Sequence, residues 1–397
     1  MKSRLAAKGF FSVMPDSAKL KLLDSFKCLA DVCPDDCCHQ WNAHVDKETL
    51  GKWQTVSDAA KRQHLMGTIQ ESTQNSNELV LVRKENGNCI HLDEDGLCDI
   101  QSSFSHDYLP LGCQQFPRET ITKNTLHFET AHLSCPAVIE LLSKTDKDDL
   151  IENEDALYKH ESMDIISQLS SSIHHYMESI FKIESLYLGL KIYALSTVIA
   201  EIMQLAAENT LTSELLNNQY RQSPEQLREK WLAWQNQSHK KEFERDKVEI
   251  KSFLQKLDTG LMAKYKQPLQ DRFKIEIPNL SFSNFVKWRE QVDIDKYEPF
   301  FEKYIHVKFL NHGFPWNPIQ SNHIATFLDC IFGLILSHHV ITAYHRANLI
   351  VDEDMLKKIT HTIEKINADN FDNFRLIGAK SELLNISKYN LFFTLLV

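Results

Sequence analysis

The stretch Ile165-Ile166-Ser167-Gln168-Leu169-Ser170-Ser171-Ser172-Ile173-His174-His175-Tyr176-Met177-Glu178-Ser179-Ile180-Phe181-Lys182-Ile183 sets the fold class. Ile165, Leu169, Ile173, Met177, Ile180 and Ile183 recur there at steps of three and four residues. That period lines one face of an α-helix, so an amphipathic helix is predicted. Leu186 to Ala207 extends or repeats the pattern. Further helices are expected around Pro224 to Gln235, Lys240 to Leu257, Phe282 to Val292, Pro299 to Leu310, Ile324 to Ala347, Asp354 to Ile366 and Phe374 to Val397. Ser223 before Pro224 reads as an N-cap followed by proline at the first helical position. Little strand alternation follows residue 140, and no repeat or low-complexity tract is present. The fold class is mainly α.

Upstream the character changes. Lys144 to Glu154 reads as a charged linker. Residues 1 to 140 are polar and rich in turn chemistry, such as Glu85-Asn86-Gly87-Asn88 and Asp93-Glu94-Asp95-Gly96. The second turn lies between Cys89 and Cys98 and is expected to close a short hairpin carrying both thiols. Leu50, Trp53, Val56, Ala60 and Leu65 suggest a helix or two between Asp46 and Gln70. Two parts are therefore expected: a small, irregular, cysteine-rich metal-binding region over 1–140 and a helical domain over 141–397. The first has too few apolar residues to hold itself together, so metal binding is expected to supply much of its folding free energy.

The cysteines carry the chemistry. Eight of the nine (Cys28, Cys33, Cys37, Cys38, Cys89, Cys98, Cys113 and Cys135) fall in the first 135 residues, and Cys330 stands apart. A uniform scatter over 397 residues would place about three there. A disulfide framework, a metal site and unliganded thiols all compete. Disulfide frameworks belong mainly to small secreted chains, whereas this one is 46.1 kDa. Its start, Met1-Lys2-Ser3-Arg4-Leu5-Ala6-Ala7-Lys8, leads into no apolar core of a signal peptide. Adjacent Cys37-Cys38 is awkward for two independent disulfides. A metal centre is the favoured reading. Thiolates in fours suit zinc or an iron–sulfur cluster. Only the Cys33 to Cys37 gap resembles one arm of a zinc knuckle, and no second arm follows. Ligands gathered from several loops fit a cluster better, with zinc as the alternative. One of the Cys37/Cys38 pair with Cys89, Cys98 and Cys113 is the leading ligand set, and Cys28, Cys33 and Cys135 come next. Cys330, in an apolar helix, reads as a small buried hydrophobe.

Composition limits the rest. The glycines are isolated, with no G-x-G-x-x-G and no Walker loop, so no dinucleotide or phosphate-cradling turn is readable. A net charge of −10 and the lack of a dense Lys/Arg block disfavour nucleic acid. Acidity suits basic partners, lysine side chains included. The longest apolar stretch, Ile324 to Ile341, is broken by Asp329 and His338-His339, so it reads as a buried helix and no membrane span is expected. His338 and His345 share a helix face but lie too far apart to ligate one metal.

These cysteine motifs carry a resemblance. Phe26-Lys27-Cys28 with Cys33-Pro34-Asp35-Asp36-Cys37-Cys38-His39-Gln40-Trp41 resembles the opening motif of the flagellin lysine-N-methylase family. Cys89-Ile90-His91-Leu92, Gly96-Leu97-Cys98-Asp99-Ile100-Gln101, Leu109-Pro110-Leu111-Gly112-Cys113-Gln114-Gln115-Phe116-Pro117-Arg118 and Leu133-Ser134-Cys135-Pro136 continue it in order. The likeness is specific over 26 to 136. Beyond that, chain length and the helical remainder, Phe309-Leu310-Asn311-His312-Gly313-Phe314-Pro315 included, fit the same family. The wider group of small cysteine-cluster proteins shares the cysteine half.

The resemblance implies methyl transfer from S-adenosylmethionine to lysine ε-amines of flagellin in the bacterial cytoplasm, and a [4Fe-4S] cluster on this cysteine set. The Cys-x3-Cys-x2-Cys spacing of radical S-adenosylmethionine enzymes is missing, since Cys37 is followed at once by Cys38. Methyl transfer needs positioning, a proton acceptor, and acidic or aromatic walls for a cationic substrate. Trp41, Tyr108, Phe116 and His132 are candidates, each with a plain packing or capping reading beside it. Arg118 is a candidate for a cofactor carboxylate, or for a salt bridge to Glu119 or Glu129. The alternative function is a non-catalytic iron–sulfur or zinc scaffold protein.

Overall fold

The computed structural model describes residues 17–38, 42–73, 77–123, 126–157, 165–220, 222–236, 263–278, 292–315 and 323–369. Helices dominate them, as expected. In chain order they are α1 (Lys47–Gln54), α2 (Ala59–Met66), α3 (Asp99–Ser103), α4 (Leu111–Gln115), α5 (Pro136–Lys144), α6 (Ile165–Phe181), α7 (Leu188–Ala207), α8 (Ser213–Gln219), α9 (Pro224–Asn236), α10 (Ala263–Phe273), α11 (Glu298–Asn311), α12 (His323–Arg346) and α13 (Glu353–Asp369). The helices expected over Lys240 to Leu257 and Phe374 to Val397 lie outside the described residues, as does nearly all of that over Phe282 to Val292.

Local chemistry accounts for the helix starts. Asp46 caps α1 by accepting from Thr49 N–H at 2.9 Å, and Asp58 caps α2 through Ala60 and Lys61 N–H. Ser223 and Gln226 exchange side-chain and backbone hydrogen bonds at the start of α9, a capping box on the predicted Ser-Pro signal. The 165–183 pattern becomes α6, whose Leu169, Ile173, Met177 and Ile180 are buried. Ile183 falls just beyond the helix end and is buried too.

Strands complete the fold, and here the N-terminal part is more regular than expected. β1 (Ser17–Leu20), β4 (Arg118–Lys123), β5 (Leu126–Ala131) and β6 (Ile151–Glu152) form one sheet in the order β4-β5-β1-β6, while β2 (Ile69–Glu71) pairs with β3 (Leu79–Leu81). β1 runs parallel to β5, and the other pairs are antiparallel. The charged linker thus supplies β6, an edge strand on β1.

Apolar packing forms two cores, which do not follow a division at residue 140. The larger gathers α5 to α13 with Ala18, Leu20, Leu22, Leu23, Phe128 and Leu133. The smaller sits wholly inside the cysteine region around Trp53, with Ala43, Val45, Val56, Leu65, Leu81, Ile100 and Leu109. Its apolar residues come singly from short elements, which hides it from a search for periodic stretches. Trp53 is fully buried and donates its indole N–H to the Tyr108 carbonyl at 2.8 Å.

In the large core α12 packs on α13, α11 and α7. Among the described residues α7 is the one helix long and apolar enough to cross a membrane, and half of that span is buried against its neighbours. Where α11, α12 and α13 meet, Glu364 accepts from Tyr304 Oη and Lys308 Nζ, each at 2.5 Å. Gly333 of α12 lets that cluster close. A side-chain carbon there would overlap Tyr304 Oη and come within 2.8 Å of Glu364 Oε1.

Candidate metal centre

All nine cysteines are free thiols. Four of them, Cys38, Cys89, Cys98 and Cys113, are drawn together from separate segments. The Cys38 carbonyl accepts from Cys89 N–H at 2.8 Å, which fastens the double cysteine to the Cys89 loop. Cys89 pairs with Arg83 across an antiparallel bridge, and Cys98 pairs with Leu92. The turn expected between these thiols is present: Asp93 N–H donates to the Leu97 carbonyl at 2.9 Å, and Leu97 N–H to Asp93 Oδ1 at 2.7 Å. Gly96 takes φ +78° in it, a conformation that costs a glycine nothing. Cys98 then caps α3, and Cys113 rides on α4.

Cys89, Cys98 and Cys113 pack against the Trp53 core. Cys38, Cys89 and Cys113 line one small cavity with Ala43, Leu81, Val82 and Arg83. Burial pushes the Cys113 thiol well up, and Cys89, Cys98 and Cys37 stand close enough to repel its thiolate. Cys38 is pushed up by its hydrogen bond with Cys37 and by burial, with Cys98 and Cys89 again as neighbours, while that bond pulls Cys37 down. Burial raises Cys89 and Cys98 as well. A bound cation reverses this preference, because it favours thiolates and releases their protons.

Cys28, Cys33 and Cys135 are the remaining thiols of the cysteine region. Burial raises Cys33, whose thiol neighbours are Cys28 and Cys37. Burial raises Cys135 to about 11, with Cys33 and Cys37 beside it. Cys135 belongs to the large core and caps α5. The Cys37–Cys38 pair therefore stands among the other thiols: Cys38 neighbours Cys89 and Cys98, and Cys37 neighbours Cys33, Cys135 and Cys113. Cys330 is elsewhere, buried in α12 with Sγ 3.8 Å from the Lys308 carbonyl.

Two supports for this centre were not assigned from sequence. His91 is buried, with Nδ1 2.6 Å from Asp99 Oδ1 and Nε2 2.8 Å from Thr68 Oγ1, and His64 Nε2 lies 3.0 Å from Asp99 Oδ2. This chain clamps the Cys89 and Cys98 loops together. The donor atoms of His64, His91 and Asp99 lie within 4.8 Å of one another, yet both His91 nitrogens and both Asp99 oxygens already have protein partners, so the clamp is the better reading. The signal was the placement of His91 two positions after Cys89 and of Asp99 directly after Cys98.

The second support is Asp35, between Cys33 and Cys37. Its side chain is 7 % exposed, and Oδ1 accepts from Lys365 of α13 at 2.5 Å. Oδ2 lies 3.6 Å from both His361 Nε2 and Arg272 Nη2. Burial alone would raise this carboxyl, but His361 and Lys365 hold it well below the usual carboxylate range. The cysteine strap, residues 27–38, is latched to the helices through this side chain and through the Asp36 carbonyl, which also accepts from Lys365 at 3.0 Å.

The remaining candidates take structural positions. Arg118 donates to Glu129 Oε1 and to the Leu23 carbonyl, each at 2.7 Å, which is its salt-bridge alternative. Phe116 stacks on His132 with centroids 5.6 Å apart, and His132 Nε2 lies 3.5 Å from Glu119. Tyr108 packs on Phe104. His338 and His339 are buried in α12, where His338 meets Phe301, while His345 is exposed. Trp41 lies outside the described residues.

The chain is similar to known proteins over part of its length. Over 125 residues the chain is 31% identical to the flagellar biosynthetic protein FliU of Salmonella muenchen, covering 28% of this chain and 68% of that protein. It is 31% identical to the lysine-N-methylase of Salmonella choleraesuis strain SC-B67 and 30% identical to that of Salmonella typhimurium strain LT2, again over 125 residues. These matches span 29% of each methylase. No family model matches the chain, and no solved structure matches it significantly.

Proposed function

The chain belongs to the flagellin lysine-N-methylase family, and from that premise we propose that it transfers methyl groups from S-adenosylmethionine to lysine ε-amines of flagellin in the cytoplasm, with a [4Fe-4S] cluster in its cysteine-rich part. The observation that carries this reading is the convergence of Cys38, Cys89, Cys98 and Cys113 in a chain of this family.

The donor set fits the cluster. Four thiols from the strap, the Cys89 loop, the start of α3 and α4 would hold it, and when bound it supplies a four-point cross-link among them.

When bound, S-adenosylmethionine supplies an electrophilic methyl group: a neutral amine attacks that carbon, the C–N bond forms as the C–S bond breaks, and a thioether leaves. The chain's own part is to orient the amine, take up the proton it sheds and neutralise its charge. No redox step is assigned to the cysteines, because their spacing is not that of the radical enzymes.

Incubating the iron-loaded protein with S-adenosylmethionine and unmodified flagellin should add methyl groups to lysines, read by mass spectrometry of the flagellin peptides. Iron-loaded protein that leaves flagellin unmodified would favour the scaffold reading instead.

A further inference from the structure

A cleft of about 420 Å³ opens where the cysteine strap meets α10 and α13. That volume falls in the range of small-molecule sites, roughly 300–1,000 Å³. Asp35, Asp36, Asn88, Arg272, Thr362 and Lys365 line it, with Pro268 and Ile366 as apolar wall. It adjoins the thiols in sequence and space, because Asp35 and Asp36 lie between Cys33 and Cys37.

The charges in this cleft are unequally committed. Lys365 donates to Asp35 Oδ1 at 2.5 Å and to the Asp36 carbonyl at 3.0 Å, while Asp35 Oδ2 accepts no hydrogen bond among the described residues. Arg272 is less committed than Lys365. Its nearest carboxylate contact is the 3.6 Å approach to Asp35 Oδ2, its side chain is 44% exposed, and a guanidinium has five N–H donors in a planar fork. Asp36 accepts from Cys38 N–H at 3.1 Å through Oδ1, while Oδ2 stands 3.9 Å from Lys365. Arg272 and Asp36 thus keep hydrogen-bonding capacity at the same opening. Thr362 adds an independent sign of a ligand. Its residue is 4% exposed, and its Oγ1 has no hydrogen-bond partner among the described residues. A buried hydroxyl left so is destabilising unless a partner reaches it.

We propose that this cleft is the methyl-donor site, with Arg272 taking the donor's α-carboxylate, Asp36 its ammonium, and Thr362 and Asn88 its remaining polar atoms. The assignment rests on the methyl-transfer reading and gives it a place. A zwitterionic amino acid joined to a nucleoside matches an opening with one available charge of each sign, amide and hydroxyl groups, and an apolar wall. Guanidinium binds carboxylate in bidentate fashion, which lysine cannot do.

S-adenosylhomocysteine is the probe, because it keeps the carboxylate, the ammonium and the nucleoside but has no methyl to transfer. Calorimetric titration of the iron-loaded full chain should show binding, weakened at least tenfold by Arg272→Ala and several-fold by Thr362→Val. Arg272 is on the surface and Thr362→Val keeps shape, so thermal midpoints should stay close to that of the parent. Arg272→Lys should recover only part of the loss. Tight binding by the parent with both variants unchanged would overturn the cleft assignment and leave the methyl-transfer reading standing. A parent chain that binds no S-adenosylhomocysteine would overturn both.

Discussion

Replacing Cys98 and Cys113 together by serine should strip the protein of nearly all its iron, whereas Cys330→Ser should retain it. Both thiols lie in the group that packs on the Trp53 core, and each has Cys89 as a thiol neighbour. A serine oxygen is a poor substitute for a thiolate on iron, and losing two of four ligands leaves too few to hold a cube. Cys330 is fully buried in α12 and faces the Lys308 carbonyl, away from any other thiol group. The drop from about four irons per chain to almost none is read by metal analysis after anaerobic purification. Full iron in the double variant would remove Cys98 and Cys113 from the ligand set.

Gly333→Ala should cost the fold about 2–4 kcal/mol, a large effect for a single methyl. Alanine in a helix interior gains roughly 1 kcal/mol over glycine. Against this, the new carbon would overlap Tyr304 Oη, and Tyr304 is fully buried. Overpacking costs about 1–3 kcal/mol. Driving Tyr304 off also breaks its buried hydrogen bond to Glu364 Oε1, which costs roughly 1–3 kcal/mol more. The steric and polar losses outweigh the propensity gain. Thermal unfolding should move down by about 5 °C, and a variant as stable as the parent would contradict the close packing of α11, α12 and α13.

The helices were legible wherever the apolar period was long and capped. Leu169, Ile173, Met177 and Ile180 gave α6, and Ser223-Pro224 gave α9 its first turn. The sheet was not legible, because β1 has only four residues and draws its order from pairing with β5, more than a hundred positions away. Nor was the Trp53 core, whose members come one at a time from short elements. That core changes the expected role of the metal. Residues 43–109 bury their own apolar side chains, whereas no residue from 27 to 38 is buried as a whole. The strap, not the entire cysteine region, is therefore where ligation would add most to the fold, beside the Asp35 latch. Cysteine type and crowding pointed to a thiol centre, but the partition of the thiols did not show. It depends on which core each one packs against. The latch could not show either, since Asp35 and Lys365 are 330 positions apart.

The central claim is that thiols gathered on the Trp53 core hold an iron–sulfur cluster. Iron, sulfide and zinc should be measured together on the full chain purified without oxygen. A brown protein with about four irons and four sulfides per chain is the predicted result. A colourless protein carrying stoichiometric zinc and no sulfide would contradict it.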